Sequence, residues 1–333
     1  MYNEKFFPIP LVLIIYNRIE TTKRLFEEIK KIRPSCMYII ADGPRDYASY
    51  EKEKCTEVRK YVLDNIDWNC DVQTNFSENN LGCKTRISSG LNWVFSMVDY
   101  AIILEDDCIP NPSFFPFCHT MLKKYLEDQR IMMIAGTNYL SEDDPSEFTY
   151  HFSQLFPIWG WATWKRAWNL YDINMTYWPL IKTGKFLNSI YKNKLFIHYI
   201  ERIFDDVFAG KDDTWDAQWF YSCIIQRGLC IMPEKNLVSN IGIDGTRPQI
   251  EKFVNRCSHQ LDLNNIKEPP VILVNPHVQD IELRNLLKMA EYSYIKYFCT
   301  LIFKKLGIFN YIEKNYLKFK CRKVGKLIKM GNK

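Results

Sequence analysis

The sequence predicts an α/β protein with a doubly wound, mainly parallel mixed sheet, and two observations carry that expectation. Apolar, β-branched runs alternate with helical patterns through the first 135 residues, the βαβα rhythm of a parallel sheet. Turn-forming or acidic residues follow directly on those runs, where such sheets bind their ligands.

Taken in order, Ile9–Tyr16 (IPLVLIIY) is a continuous apolar run, as expected for a strand covered on both faces. Thr21–Lys31 has helical spacing, with Leu25, Phe26 and Ile29 on one face. Met37–Ala41 is a second strand and ends in Asp42-Gly43-Pro44, a strong turn signal. A charged helix is expected over Ser49–Asn65, a strand over Asp71–Phe76 and a helix over Cys83–Val98. Tyr100–Leu104 and Ile131–Ala135 complete the strands of this half. After residue 140 the rhythm breaks. The tryptophan-dense stretch Trp159–Trp164 leads into a helix through Trp168, residues 178–210 look helical, and Asp212–Arg227 reads as a helix opening with acids. Leu229–Ser239 holds one or two short strands, and Gly242–Pro248 is a loop. Residues 1–140 and 141–289 are therefore expected to be two halves of one domain, the second completing a site begun by the first. Residues 290–333 form a tail.

Composition narrows the function classes. A chain of 333 residues can bury a sizeable core, and aromatics at 15% suggest a pocket as well. Eleven cysteines, none in a CxxC pair, argue against a disulfide framework or a zinc site, so reduced thiols and a cytosolic setting are expected. The run Ile9–Tyr16 is too short for a span, and no later stretch reaches the ~18 apolar residues a transmembrane helix needs. Residues 290–333 carry eleven Lys/Arg against two acids, +9, which leaves −4 on the rest of the chain. With no basic groove in the body, no nucleic-acid partner is expected. The tail instead mixes lysines with Phe, Tyr, Leu and Ile. It reads either as a solvated helical cap or as an anchor on the anionic inner face of a membrane, and the anchor is the expectation adopted.

The residues with chemistry cluster at strand ends. Glu105-Asp106-Asp107 stands at the end of a buried strand, and three such acids repel unless a cation sits among them. Carboxylates suit hard ions, Mn²⁺ or Mg²⁺, that complete their shell with water and phosphate oxygens. Asp42 could accept from a nucleobase or ribose, or simply close an Asx-type turn. Asn79-Asn80-Leu81-Gly82 precedes a helix bearing Lys84 and Arg86, where cations and backbone N–H groups together suit a diphosphate. Asp216 lies between Trp215 and Trp219, where desolvation would favour a usable general base. Trp159 and Trp161, with Trp215, are read as a partly open wall on the acceptor side.

Several of these segments together resemble a known family. They are Ile9–Arg18 with its Tyr-Asn-Arg ending, Ala41–Pro44, Asn80-Leu81-Gly82 with Arg86, and Ile103–Pro110 followed by Phe114-Phe115. With Thr214–Trp219 and Asn236–Gly242 they resemble GT-A glycosyltransferases of bacterial polysaccharide clusters, related to N-acetylglucosaminyltransferase I, over residues 8–280. The resemblance implies an inverting transfer from a nucleotide-diphosphate sugar, UDP by preference, to a glycan or lipid-linked acceptor. It implies donor contacts from Asn17, Arg18, Asp42, Asn80, Arg86, Glu105 and Asp106, a metal ligand in Asp107, and a base in Asp216. Only one acid stands between the two tryptophans here, so Asp212 and Asp213 remain competing bases. Where those relatives are expected to carry Thr-His, this chain has Thr246-Arg247, and Arg247 is read as a diphosphate clamp. His259 and His277 are weaker metal candidates. The rival readings are a sugar nucleotidyltransferase, which would want a glycine-rich loop in place of Asn17–Thr21, and a non-catalytic sugar-binding protein.

Overall fold

The computed structural model describes residues 6–48, 50–141, 144, 147–242, 257–293, 295 and 298. Its first half follows the predicted alternation to within two residues at each boundary: β1 (Leu11–Ile15), α1 (Ile19–Ile32), β2 (Cys36–Ala41), α2 (Glu51–Asp64), β3 (Asp71–Phe76), α3 (Gly82–Met97) and β4 (Tyr100–Glu105). There follow β5 (Cys108–Pro110), α4 (Phe114–Lys124), β6 (Ile131–Ala135), β7 (Tyr150–Ser153), β8 (Trp161–Trp164), α5 (Lys165–Trp168) and α6 (Trp178–Thr183). After a 3₁₀ turn at Phe186–Ser189 come α7 (Lys194–Phe208), α8 (Asp216–Ile225), β9 (Leu229–Pro233), β10 (Val238–Asn240) and α9 (Pro276–Met289).

Among the described residues eight strands form one mainly parallel mixed sheet in the order β3-β2-β1-β4-β8-β6-β9-β7. β1 to β4 run parallel, β8 is antiparallel to both its neighbours, β9 is parallel to β6, and β7 is antiparallel to β9. Strands from before and after residue 140 therefore share hydrogen bonds in a single sheet. All five residues of β1 are buried because alternate side chains feed opposite cores. Val12 and Ile14 pack on the side of α3, α7 and α8, while Leu11, Leu13 and Ile15 pack on the side of α1, α2 and α4. That arrangement is a three-layer α/β/α fold.

The tryptophan stretch corrects its sequence reading. Trp161–Trp164 is an inner strand, with Trp161 opposite Ile103 of β4 and Ala135 of β6. All four of its residues are buried, so no polar alternation marks it as a strand. β5 and β7, at three and four residues, are too short to show a period. Among the described residues no helix is long and apolar enough to cross a membrane, and the nine described cysteines are free. Arg247 and most of the 290–333 tail lie outside the described residues.

Candidate functional site

The sheet topology itself points to a crevice. From β1 the chain moves to β2 and β3 on one side, then returns to β4 on the other, so the strand order reverses between β1 and β4. Ligands of doubly wound sheets bind beyond the carboxyl ends of the strands at such a point. Ile14 and Glu105 pair in register, so the loops after both strands begin at the same level.

Those two loops meet through Arg18. Its carbonyl accepts the Thr22 N–H (3.1 Å) and both the Thr21 and Thr22 hydroxyls, which fixes the backbone where α1 starts. Its guanidinium spans Asp106 and Asp107, with Nη1 2.9 Å from Asp107 Oδ2. One guanidinium does not balance the acids around it. Burial pushes the Glu105 carboxyl well up, helped by the charges of Asp107 and Asp106, and Asp216 adds to that rise. Burial likewise pushes Asp106 up, although Arg18 opposes it. Glu105 Oε1 and Asp106 Oδ2 are sealed from solvent with no hydrogen-bond partner among the described residues.

Two buried carboxylate oxygens without partners, beside Asp107, make a hard-oxygen set that suits Mn²⁺ or Mg²⁺. Among the described residues no three His, Cys, Asp or Glu side chains could hold an ion by themselves. What the described residues offer an ion is Asp107, with the two partnerless oxygens of Glu105 and Asp106 behind it. His259 and His277 join no such group, and His277 is exposed in the first turn of α9.

The ribbon of β10 on β5 closes the site from a third side. Ile241 N–H donates to the Asp107 carbonyl at 2.8 Å, and Asn240 Nδ2 lies 3.4 Å from Asp107 Oδ1. At Gly242 a Cβ would stand 2.1 Å from Asp107 Oδ2, so only glycine lets the backbone pass this close to the acid.

Other predicted donor contacts are occupied differently. The Asp42 carboxylate accepts the backbone N–H groups of Gly43 (2.9 Å), Leu81 (2.9 Å) and Gly82 (3.1 Å). Asp213 accepts those of Cys83 (2.8 Å) and Lys84 (3.2 Å). Four successive N–H groups at the start of α3, where a diphosphate was expected, are thus held by two carboxylates. Arg86, only 6% exposed, donates to the carbonyl and side-chain oxygens of Asn75 (2.9 and 2.7 Å), tying α3 to β3. Burial lowers its pKa while the charge of Asp42 opposes that fall, and its buried Nε has no hydrogen-bond partner among the described residues. Asn80 bonds the Gly43 carbonyl (2.8 Å) and the Tyr16 hydroxyl (3.3 Å).

Glu51, at the first turn of α2, escaped the sequence reading. It is fully buried and accepts from the Tyr16 hydroxyl (2.6 Å), Asn17 Nδ2 (3.3 Å) and the Arg45 guanidinium and backbone. Arg45, foremost, holds its carboxyl down at about 2. Glu51 thereby ties the loop after β1 to the loop after β2. In the sequence it is one of several acids in a charged helix, and it shares the first turn with Glu53, so nothing in the sequence singles it out.

Asp216 opens α8, half-buried, and accepts from the Thr214 hydroxyl. The wall behind it corrects the acceptor-side reading of the tryptophans. Trp161 is 0% and Trp215 2% exposed, with stacked rings 5.5 Å apart, and Trp161 also meets Trp219 at 5.7 Å. Rings without an open face cannot stack a sugar, so this pair anchors α8 and thereby Asp216. Trp159 is half-buried and its carbonyl accepts from Thr137 at 2.9 Å. Asp213 is the α3 cap described above, and Asp212 is exposed.

No family model matches this chain, and no curated protein matches it. Solved structures give distant likenesses. An inositol-1-phosphate CTP transferase from T. maritima is 9% identical, with TM-score 0.36, covering 67% of this chain and 84% of that one. HddC from Yersinia pseudotuberculosis is 9% identical (TM-score 0.28; 47% of this chain, 77% of that one). A UDP-glucose pyrophosphorylase bound to UDP-glucose is 11% identical (TM-score 0.27; 44% and 64%). Likeness this remote says nothing about reaction or substrate.

Proposed function

We propose that this chain is a metal-dependent glycosyltransferase that moves a sugar from a nucleotide-diphosphate donor to a glycan or lipid-linked acceptor, with inversion. The observation that supports it most is the under-neutralised Glu105–Asp107 cluster at the β1/β4 reversal, where three acids share Arg18 and two buried oxygens lack partners among the described residues. A bound Mn²⁺ or Mg²⁺ would supply charge neutralisation to the leaving diphosphate. Asp107, 13% exposed, would be its direct protein ligand, with Asp106 and Glu105 behind it. Arg18, a third exposed, can keep one edge on Asp106 and turn remaining N–H groups to a phosphate. Asp216 would take the proton of the acceptor hydroxyl as its oxygen attacks the anomeric carbon from the face opposite the diphosphate. Asn17 and Asp42 would frame the nucleoside side through the loops that Glu51 and Asn80 hold together. Arg247 and the basic tail keep their expected parts, a phosphate clamp and an anchor on anionic membrane.

The second reading is sugar nucleotidyl transfer, which the same acids could serve. The loop Asn17–Thr21, without glycine, counts against it. A single assay separates the two. With Mn²⁺, the protein is given UDP-sugars in one arm and nucleoside triphosphates with sugar 1-phosphates in the other. Release of UDP in the first arm supports glycosyl transfer, and release of pyrophosphate in the second alone would replace it. If neither substrate turns over while UDP-sugar still binds, the chain is a sugar-binding protein on this fold.

A further inference from the structure

Residues 173–200 contain four lysines and no acid, with Asp172 and Glu201 standing at either end. The segment is firmly seated: Trp178, Leu187 and Tyr191 are each 1% exposed, and the Tyr177 N–H donates to the Tyr221 hydroxyl at 3.2 Å. Yet its outer side is apolar. Tyr177 is 61%, Leu180 60% and Phe186 51% exposed, within ten residues. Beside Phe186 opens a groove of about 210 Å³ lined by Ile181, Leu187, Ile190, Ile224 and Ile225. Buried anchors beneath exposed apolar side chains are not the signature of a loosely folded loop, and exposed apolar side chains beside a groove suit an interaction site.

The charges around it select the occupant. Lys182 is paired with Asp205 at 2.7 Å and Arg227 donates to Ser189 at 3.2 Å, but Lys185 and Lys192 are exposed with no acid among the ion pairs described for them. Lys194 bonds only the neutral Asn188. Apolar side chains that can enter an acyl boundary, flanked by basic groups at headgroup level, match an anionic bilayer surface and not an acidic soluble partner.

We propose that residues 177–194 are a membrane-docking surface for anionic lipid, separate from the basic tail and independent of the reaction assigned to the acid cluster. The full chain is tested by flotation with vesicles of phosphatidylglycerol and phosphatidylethanolamine, and with pure phosphatidylcholine. The full chain should float with the anionic vesicles and not with the neutral ones. A Tyr177→Ser/Leu180→Ser/Phe186→Ser variant should bind at least tenfold more weakly, and Lys185→Glu/Lys192→Glu similarly at low salt. All should melt within a few degrees of the parent, since every changed side chain is exposed; should the triple variant melt early, the lysine variant decides alone. Loss of less than threefold, with the tail intact, overturns the proposal and assigns all membrane binding to the tail. A parent chain that ignores vesicles, or that self-associates through these residues, overturns it as well.

Discussion

Two regions of this molecule carry carboxylates at strand ends, and they differ in what those carboxylates have left to bind. At the start of α3, Asp42 and Asp213 take four backbone N–H groups between them, and Arg86 gives Nη2 to Asn75 while its buried Nε has no partner among the described residues. At the β1/β4 reversal, three acids share one guanidinium, and two buried oxygens find nothing. Buried polar groups are nearly always satisfied, so an unsatisfied pair at a topological switch point marks where a ligand adds most. The first region has its N–H groups taken by carboxylates and frames the crevice. The second is where chemistry is expected.

The largest contrast should come from removing one acid in each region. Asp107→Asn should lower turnover by roughly 100-fold to 1000-fold, the scale of a lost electrostatic contact to the transition state, while the melting temperature hardly moves. Normal turnover in Asp107→Asn would erase the distinction between the regions. Asp42→Ala should do the opposite kind of damage, lowering unfolding free energy by roughly 1–3 kcal/mol in urea because three N–H groups lose their acceptor. Should Asp42→Ala keep full stability and lose only donor affinity, the α3 end would belong to the ligand after all.

A smaller effect sharpens the same comparison through pH. Glu105 and Asp106 are raised, so each binds a proton more tightly folded than unfolded. Folding stability from these groups is complete below their unfolded range near ~4 and is lost as pH rises through their raised folded values. Glu105→Gln removes one such charge and should therefore raise the melting temperature at pH 8 but not at pH 4. A variant less stable than the parent at pH 8 would mean that Glu105 has a partner and no deficit.

The two regions were also unequally legible in the sequence. β1, β2 and β4 stand out because strands buried on both faces need unbroken apolar runs, and the acids after them are conspicuous by contrast. Asp106–Asp107 could be nominated from their place at a strand end and Arg18 from the resemblance, though not their pairing. The α3 end misled because a helix start, two bases and an Asp-Gly turn look the same whether the N–H groups await a phosphate or are taken by Asp213, 130 residues away in the chain. Trp161 misled for a related reason: its burial depends on β4, β6 and Trp215, none of them sequence neighbours. Glu51 was missed because two of its partners, Tyr16 and Asn17, lie in another loop, although Arg45 stands six residues before it in the chain.

The carboxyl ends of β1 and β4 are proposed as a metal-assisted site for a nucleoside diphosphate. Calorimetric titration of UDP into the parent chain and into Asp107→Asn, each with Mn²⁺ and with excess EDTA, addresses that directly. The parent should bind UDP with Mn²⁺ and lose at least tenfold in affinity in EDTA, while Asp107→Asn should bind weakly and alike in both. Equal affinity in all four titrations would contradict a metal-bound diphosphate at this site. Binding that tracks Mn²⁺ but ignores the Asp107 substitution would move the metal elsewhere in the molecule.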